Sequence, residues 1–548
     1  MFAIENIFLA SGSQDFIIRV YNIKPAFENN QNNLHEQSFS LKEETLSNSG
    51  STTESAKVFA VSLETVLCSH EGWVTEVKWH LSQENKLYLL SSSMDKTIIL
   101  WEPLDDIWNE AVRFGEVGGN AIGFFGCNSI PKRNQIVGYS FNGAVSIWQK
   151  QQSDRQWATS VPITGHFNEV TDLCWEPKGE YFLTCSADQT TRLHSHWKSA
   201  LGPSTTWHEV GRPQVHGYDL KCIAMAGRLK FASGADEKVI RVFSATKYFI
   251  DSLMTINSSS PEGGDHSFFE GSEEEGIAEC AVVPALGLSN SAVYDTSQMT
   301  DEQLKPRALT GPPTEEVLFQ NTLWPEVQKL YGHGYELFAM TVNRKGTLLA
   351  SACKAATATH AAVILWDFRS CKILAHLPSH SLTVTQVRFS PDDRLLLSVS
   401  RDRTWALFDV STAATTGAGE FPRVAFSDKR TGVHSRIIWD CAWTPDSRAF
   451  LTSSRDKSVV IWRIEEEKSS GGGDDEGAAA SSSALQVTSL PAVLTLDESV
   501  TSVDVHGSLC DPYLCCLGLE NGHLLLYSFN LTGVGDCWSL LCSFDRHW

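Results

Sequence analysis

Histidine, aspartate and serine recur along this chain at spacings that invite a catalytic reading. His166, His380 and His434 each stand 22 residues before an aspartate, namely Asp188, Asp402 and Asp456. Each aspartate lies in a short turn, Ser186-Ala-Asp188, Ser400-Arg-Asp402 or Ser454-Arg-Asp456. Two further copies pair His70 with Asp95 and His216 with Asp236, at 25 and 20 residues. A hydroxyl, an imidazole and a carboxylate are the parts of an acyl-transfer site. Such an enzyme needs one site, whereas here the set repeats, and a repeat points to architecture.

The neighbouring aromatics support architecture. The ninth residue after each of those three histidines is Trp175, Phe389 or Trp443. Six residues after the turn aspartate comes a bulky aromatic in most copies: Asp15 and Tyr21, Asp95 and Trp101, Asp402 and Phe408, Asp456 and Trp462. Asn142 with Trp148 and Asn521 with Tyr527 keep the spacing, while Asp188 is followed by His194. His360 and Trp366 read as a degenerate copy whose turn is swollen by residues 354–362. The expected structural set is therefore His70, Asp95, Trp101, His166, Asp188, His216, Asp236, His380, Asp402, His434, Asp456 and Trp462. In it the histidine bridges the aspartate and a hydroxyl, and the tryptophan closes the chain of bonds, each worth about 1 kcal/mol. No phosphate loop, HExxH or GxSxG occurs; Gly138-Tyr-Ser140-Phe-Asn-Gly143 misses the last spacing by one residue. No CxxC pair occurs among the 14 cysteines, which argues against a zinc site. No catalytic residue, metal or cofactor is expected.

One cluster exceeds the architectural need. Arg401 and Arg403 flank Asp402, Arg455 precedes Asp456, and Arg436 follows His434. The repeat places all four on one face of neighbouring units. They read either as solvated turn residues paired with Asp402, Asp456 or Asp446, or as a docking patch for an acidic segment or phosphate, which arginine grips with a two-pronged fork.

The elements that hold these residues are strands. Runs such as Val74-Thr-Glu-Val77-Lys-Trp79 and Val384-Thr-Gln-Val387-Arg-Phe389 alternate apolar and polar residues. Helical periodicity is nearly absent. Turn positions fall at 15, 95, 142, 188, 236, 360, 402, 456 and 521, mostly 42 to 65 apart. That period, with a histidine opening and the Trp366-Asp367 close, is the WD40 signature, four strands to a propeller blade. The fold class is thus all-β, of WD40 repeats; that they form two consecutive β-propellers is what a family resemblance implies. About ten blades are expected, one of them a weak copy at Ala281–Asn290. Residues 1–200 would hold four blades, with 24–57 a disordered loop, and residues 212–548 about six, with 251–277 and 465–484 as flexible excursions. The boundary is expected between Lys198 and Arg212.

Bulk properties narrow the function. The 548 residues carry a formal charge of −21, which argues against a general nucleic-acid or anionic-membrane binder. No apolar run approaches the roughly 20 residues that span a bilayer. Met1–Ala10 lacks the basic start of a secretory signal. Cys174, Cys185, Cys222, Cys353 and Cys441 sit in apolar runs as small core residues, the usage of a reducing compartment.

Several stretches outside the repeat resemble the second subunit of the Elongator complex. They are residues 212–222, 233–243 and 284–290, Pro312-Pro-Thr-Glu, and above all Gln320-Asn-Thr-Leu-Trp-Pro-Glu-Val-Gln-Lys-Leu-Tyr-Gly-His-Gly-Tyr-Glu336, joined by 351–356, 398–404 and 433–439. The resemblance runs over nearly the whole chain. It implies two seven-bladed propellers, against which this chain is expected to be short of blades at both ends. It also implies a non-catalytic scaffold, in cytoplasm and also nucleus, that holds the complex's largest subunit and its catalytic subunit. That complex adds a carboxymethyl-type group to wobble uridine of tRNA. Two other functions fit a WD40 chain: a generic adaptor such as a ubiquitin-ligase substrate receptor, and a propeller that contacts tRNA weakly, directly or indirectly.

Overall fold

The computed structural model describes residues 7–25, 37–46, 52–81, 86–104, 107–115, 123–130, 133–151, 156–198, 205–257, 276–283, 290–295, 309, 311–411, 420–428, 430–466, 485–508, 512–531 and 537–545. Among them the alternating runs form antiparallel sheets. Eight have four strands and one has five. In chain order their leading strands are Ile7–Gly12, Val74–Leu81, Phe124–Ile130, Val170–Trp175, Leu220–Met225, Leu337–Val342, Val384–Phe389, Ile438–Trp443 and Val500–Val505. From the second sheet to the ninth, each leading strand pairs with the next strand of its sheet, and in all but the sixth the turn that follows carries the Asp or an Asn or Glu substitute. Among the described residues no sheet closes on itself.

The second strands explain how the sheets pack. Leu348–Cys353, Leu395–Ser400 and Ala449–Ser454 are buried at every position. A strand buried on both faces must have a layer on each side. The apolar clusters supply those layers. Leu396 and Phe408 of the seventh sheet pack with Leu348 and Leu365 of the sixth. Leu397 and Trp405 pack with Phe450 and Trp462 of the eighth, and Leu451 and Ile461 with Leu517 and Phe529 of the ninth.

Side-chain clasps tie leading strands together. Thr75 donates to the Phe124 carbonyl (2.8 Å) and Glu76 accepts from the Cys127 amide (2.9 Å). Thr171 donates to Leu220 (2.9 Å) and Asp172 accepts from Ile223 (3.0 Å). Thr385 donates to Ile438 (2.6 Å), and Asp440 accepts from Val503 (3.0 Å).

The turn after the second strand has a fixed conformation. The residue following the turn carboxylate has positive φ in Phe16, Lys96, Gln189, Arg403 and Lys457 (68–75°). Glycine stands there in both asparagine copies, Gly143 and Gly522, where the left-handed backbone costs nothing.

Two compact units emerge: Met1–Phe167 with Pro312–Gln320, and Asn168–Gly311 with Asn321–Trp548. The strand Thr205–Val215 runs through the stretch where a boundary was expected. Within 24–57, expected as a loop, Gln37–Leu46 pairs with Thr52–Leu67; residues 26–36 and 47–51 lie outside the described residues.

The long interval after Asp236 holds no further four-stranded sheet among the described residues. Cys280–Val282 and Ser291–Val293 make a two-stranded ribbon where a weak blade was expected, with 284–289 undescribed. The chain instead returns to give the fifth sheet its outer strand, Glu326–Tyr331 on Val239–Ser244. On the way it forms a helix, Lys247–Asn257, in part of the stretch expected to be flexible. The Thr246 hydroxyl caps it by accepting from the Phe249 amide (3.3 Å). Phe249, Leu253 and Ile256, at helical spacing, are buried in the core of the fourth and fifth sheets. Residues 258–275 and 467–484 lie outside the described residues.

Candidate partner-binding site

The second sheet shows the full set of bonds. His70 Nδ1 lies 2.8 Å from Asp95 Oδ2, and Nε2 lies 2.8 Å from Ser91 Oγ. Trp101 Nε1 donates to the same Oγ (2.8 Å). A carboxylate only accepts, so Nδ1 carries the proton and the serine hydroxyl donates to Nε2. In the eighth sheet His434 lies 3.3 Å from Asp456 and 2.7 Å from Thr452, to which Trp462 donates (2.9 Å). In the seventh, His380 lies 3.2 Å from Asp402 and 2.9 Å from Ser398. Phe408 replaces the tryptophan there and brings no donor.

The chemistry of these groups is closed. Ser91 is fully buried, its proton is given to imidazole and its oxygen is taken by indole. No acyl carbonyl could reach it, so the set holds turns and does not attack substrates. Burial works to raise the carboxyls of Asp95, Asp402 and Asp456. Hydrogen bonds from the histidine and from Thr97, Thr404 or Ser458 outweigh it and hold all three well below the usual carboxylate range.

Two copies depart from the sequence reading. His216 Nε2 meets Glu237 (2.9 Å), not Asp236, which pairs with Lys354 (2.7 Å). The register gives the reason. The residue before each turn carboxylate donates its amide to the loop leading into its sheet: Met94 to Trp73, Arg401 to Thr383, Arg455 to Ile437, and Asp236 to Asp219. Asp236 thus stands one place early and Glu237 takes the carboxylate position. Burial opposes ionisation of Glu237, but His216 and Arg241 hold it down at about 2.

Asp188 takes the Thr190 hydroxyl (2.6 Å) and lies 3.6 Å from Arg192. Arg192 in turn meets Glu209 (3.1 Å), which Arg212 grips (2.6 Å). His194, six residues after Asp188, stacks on Phe182 at 4.9 Å. In the sixth sheet the working histidine is His333, 2.8 Å from Ser351, to which Trp366 donates (2.8 Å). His360 meets Tyr335 edge-on instead. Sequence spacing could have found His333, because the histidine precedes its hydroxyl by 18 residues in His333–Ser351, His380–Ser398 and His434–Thr452.

The four arginines share one end of the seventh and eighth sheets. Arg401 and Arg403 lie in the seventh sheet's turn, Arg455 in the eighth's, and Arg436 in the loop leading into the eighth. Backbone bonds place them side by side. Arg403 Nη1 donates to the Ser435 carbonyl (3.3 Å), and the Arg455 amide to Ile437 (2.9 Å). All four side chains are exposed. Among the described residues no ion pair holds any of them; Asp446 instead takes the Tyr513 hydroxyl (2.8 Å). The cluster can accept an anion without first breaking an internal pair.

The stretches that lie outside the repeat converge elsewhere. Asn290 Nδ2 donates to the carbonyls of Pro213 (3.0 Å) and Trp324 (2.8 Å). Trp324 donates its amide to Pro213 (2.9 Å), and Arg212 donates its amide to the Thr322 hydroxyl (2.8 Å). Residues far apart in sequence thus close the long return of the fifth sheet. In the first unit, Glu315 accepts from Asn142 Nδ2, so the Pro312–Gln320 segment is anchored at a turn that lacks its aspartate.

Among the described residues no group of His, Cys, Asp and Glu could hold a metal ion, and no helix is long and apolar enough to cross a membrane.

Comparison with known proteins gives these features a lineage. Residues 61–102, 158–195, 371–409 and 429–463 match the pattern described as WD domain, G-beta repeat. The chain is 45% identical to a protein of Rattus norvegicus named Elongator complex protein 2, over 96% of this chain and 65% of that one. Its namesake in Homo sapiens is 44% identical over 96% and 65%. The one in Drosophila melanogaster is 42% identical over 99% and 68%. The chain therefore spans about two thirds of the length of these relatives.

Proposed function

Because the chain belongs to the Elongator complex protein 2 family, we propose that it is a non-catalytic scaffold of the Elongator complex, holding the largest and the catalytic subunit of an assembly that modifies wobble uridine of tRNA. The observation that carries this reading is the closure of every His-centred set described above. Hydroxyls are buried and spoken for, whereas unpaired guanidiniums stand exposed on a chain of charge −21. Stacked WD sheets with nearest-neighbour packing support a propeller architecture; two consecutive propellers, and a place in cytoplasm and nucleus, rest on the family alone.

Arg401, Arg403, Arg436 and Arg455 are the proposed contact for an acidic segment of a partner subunit. Charge reversal at Arg401, Arg403 and Arg436 together is expected to cut co-purification of the catalytic subunit while the chain's melting temperature is unchanged. Unaltered co-purification removes this patch from the interface. A second reading rests on the same guanidiniums, as a contact for tRNA phosphate. It requires binding by the isolated chain that falls steeply with salt and is lost in the same triple variant.

A further inference from the structure

The two turns that carry asparagine in place of aspartate have a chemistry of their own. Asn142-Gly143 and Asn521-Gly522 are the only Asn-Gly pairs in the chain. Both stand where other sheets place the turn carboxylate and the left-handed residue after it, with Gly143 at φ 75° and Gly522 at φ 84°. Asparagine is among the chemically labile residues. It is most labile before glycine, which has no Cβ to hinder attack by its own nitrogen. That nitrogen bonds to the asparagine Cγ and gives its proton to water, and ammonia leaves. Water then opens the five-membered imide. Breaking the bond from nitrogen to Cγ gives aspartate; breaking the bond to the main-chain carbonyl gives isoaspartate.

The fold treats the two asparagines differently. Asn142 is 6% exposed. Its Nδ2 donates to Glu315, and its Oδ1 accepts from the Ser140 hydroxyl and from the Ala144 amide (3.3 Å). Turning its Cγ toward the Gly143 nitrogen breaks all three bonds in a buried place. Asn521 is exposed. Among the described residues its Oδ1 accepts from the His523 amide alone (3.1 Å), and its Nδ2 has no partner. The backbone does not separate the two sites. The Gly143 amide donates to Ser140 (3.1 Å) and the Gly522 amide to Leu519 (3.0 Å). Each nitrogen must be released first, and local opening of a surface turn is a low-energy event. What differs is the hold on the side chain and the access of water.

We propose that Asn521 is a site of spontaneous deamidation, and that burial and the bond to Glu315 protect Asn142 from the same reaction. The aspartate product gives the ninth sheet the carboxylate its turn lacks. It adds a negative charge at the end of that sheet where Lys457 reaches across from the eighth to the Asp497 carbonyl (2.5 Å). The isoaspartate product instead lengthens the main chain inside the turn. The bond from the Leu519 amide to the His523 carbonyl (3.0 Å) then has to open.

The test holds the full chain in mildly alkaline buffer made with heavy-oxygen water and follows both peptides by mass spectrometry, with the two acid products separated by chromatography. Uptake of heavy oxygen dates each conversion to the incubation. Asn521 is expected to convert at least about tenfold faster than Asn142, whose side-chain hydrogen bonds must also break. In urea, with both turns open, the two rates should become similar. Glu315→Ala should speed conversion at Asn142 and leave Asn521 unchanged. The proposal is overturned by equal rates in the folded chain, by faster conversion at Asn142, by a difference that persists in urea, or by an Asn521 that converts only in urea. An Asn142 rate unaffected by Glu315→Ala overturns the protective role of that bond.

Discussion

At the scale of single residues, the His-centred sets show how one arrangement of side chains can be reactive or inert. A serine beside an imidazole is a nucleophile only if its oxygen is reachable and its lone pairs are free. Ser91 fails on both counts. Ser91→Ala would strand His70 Nε2 and the Trp101 N–H in a buried site. It is expected to destabilise the first unit by about 2 kcal/mol, read as a lower urea midpoint with activity of any assembled complex unaffected at permissive temperature. A midpoint equal to wild type would show that water or rearrangement satisfies both groups. The carboxylate substitution at Glu237 illustrates the limit of spacing arguments. The histidine-to-carboxylate distance tolerates a shift of one, and only backbone bonding reveals which acid of an Asp-Glu pair occupies the working position.

At the scale of elements, strand alternation and turn chemistry were legible because each sheet repeats them. The leading strands, the buried second strands and the left-handed turn position all follow from local pattern. Elements that occur once were harder to see. Lys247–Asn257 carries Phe249, Leu253 and Ile256 at helical spacing. Against a background of strands, and next to an acidic tract, that signal is easily taken for a loop. Leu253 is buried in the core of the fourth and fifth sheets. Leu253→Ala is expected to cost about 3 kcal/mol, measurable as a fall in the thermal midpoint; a change under about 0.5 kcal/mol, the range of surface substitutions, would show the helix to be dispensable to that core. The arginine cluster was legible as a grouping from the repeat alone. Its freedom from internal ion pairs was not, because Asp402 and Asp456 adjoin these arginines in sequence and turn instead to His380 and His434. The tie of Asn290 to Pro213 and Trp324 was equally hidden, since nothing local in the sequence links positions so far apart.

At the scale of the whole molecule, the clasps between leading strands and the carboxylates of the turns couple stability to pH in opposing senses. Burial pushes the Asp172 carboxyl up to about 6, despite the Ile223 amide it accepts from and the nearby Arg388; Asp440 is raised for the same reason. A folded-state value above the ordinary value of about 4 means the folded chain binds the proton more tightly. The contribution is fully present below about pH 4 and is lost as pH rises through about 6. Asp95, Asp402 and Asp456 work the other way: their stabilisation is complete above about pH 4 and is lost as pH falls toward their lowered values. Asp172→Asn keeps an acceptor for the Ile223 amide and removes the titration. Its melting temperature relative to wild type is expected to rise between pH 4 and pH 7. A difference that stays constant over that range would show that Asp172 is not the titrating group.

The fifth sheet carries a further consequence, for the time at which the chain becomes whole. Its third strand ends at Ser244 and its outer strand begins at Glu326, so residues 245–325, 81 in number, must be synthesised between them. At roughly 5–20 residues per second the ribosome needs roughly 4–16 seconds to make them. For that interval the Val239–Ser244 edge waits without its neighbour, with the fourth sheet complete and the sixth not yet made. An exposed strand edge is a template for any extended chain nearby. The Lys247–Asn257 helix emerges first, and its apolar face can cover the core while the edge remains open. The order of elements along this chain is therefore also a schedule, in which a guard is delivered before the strand it waits for.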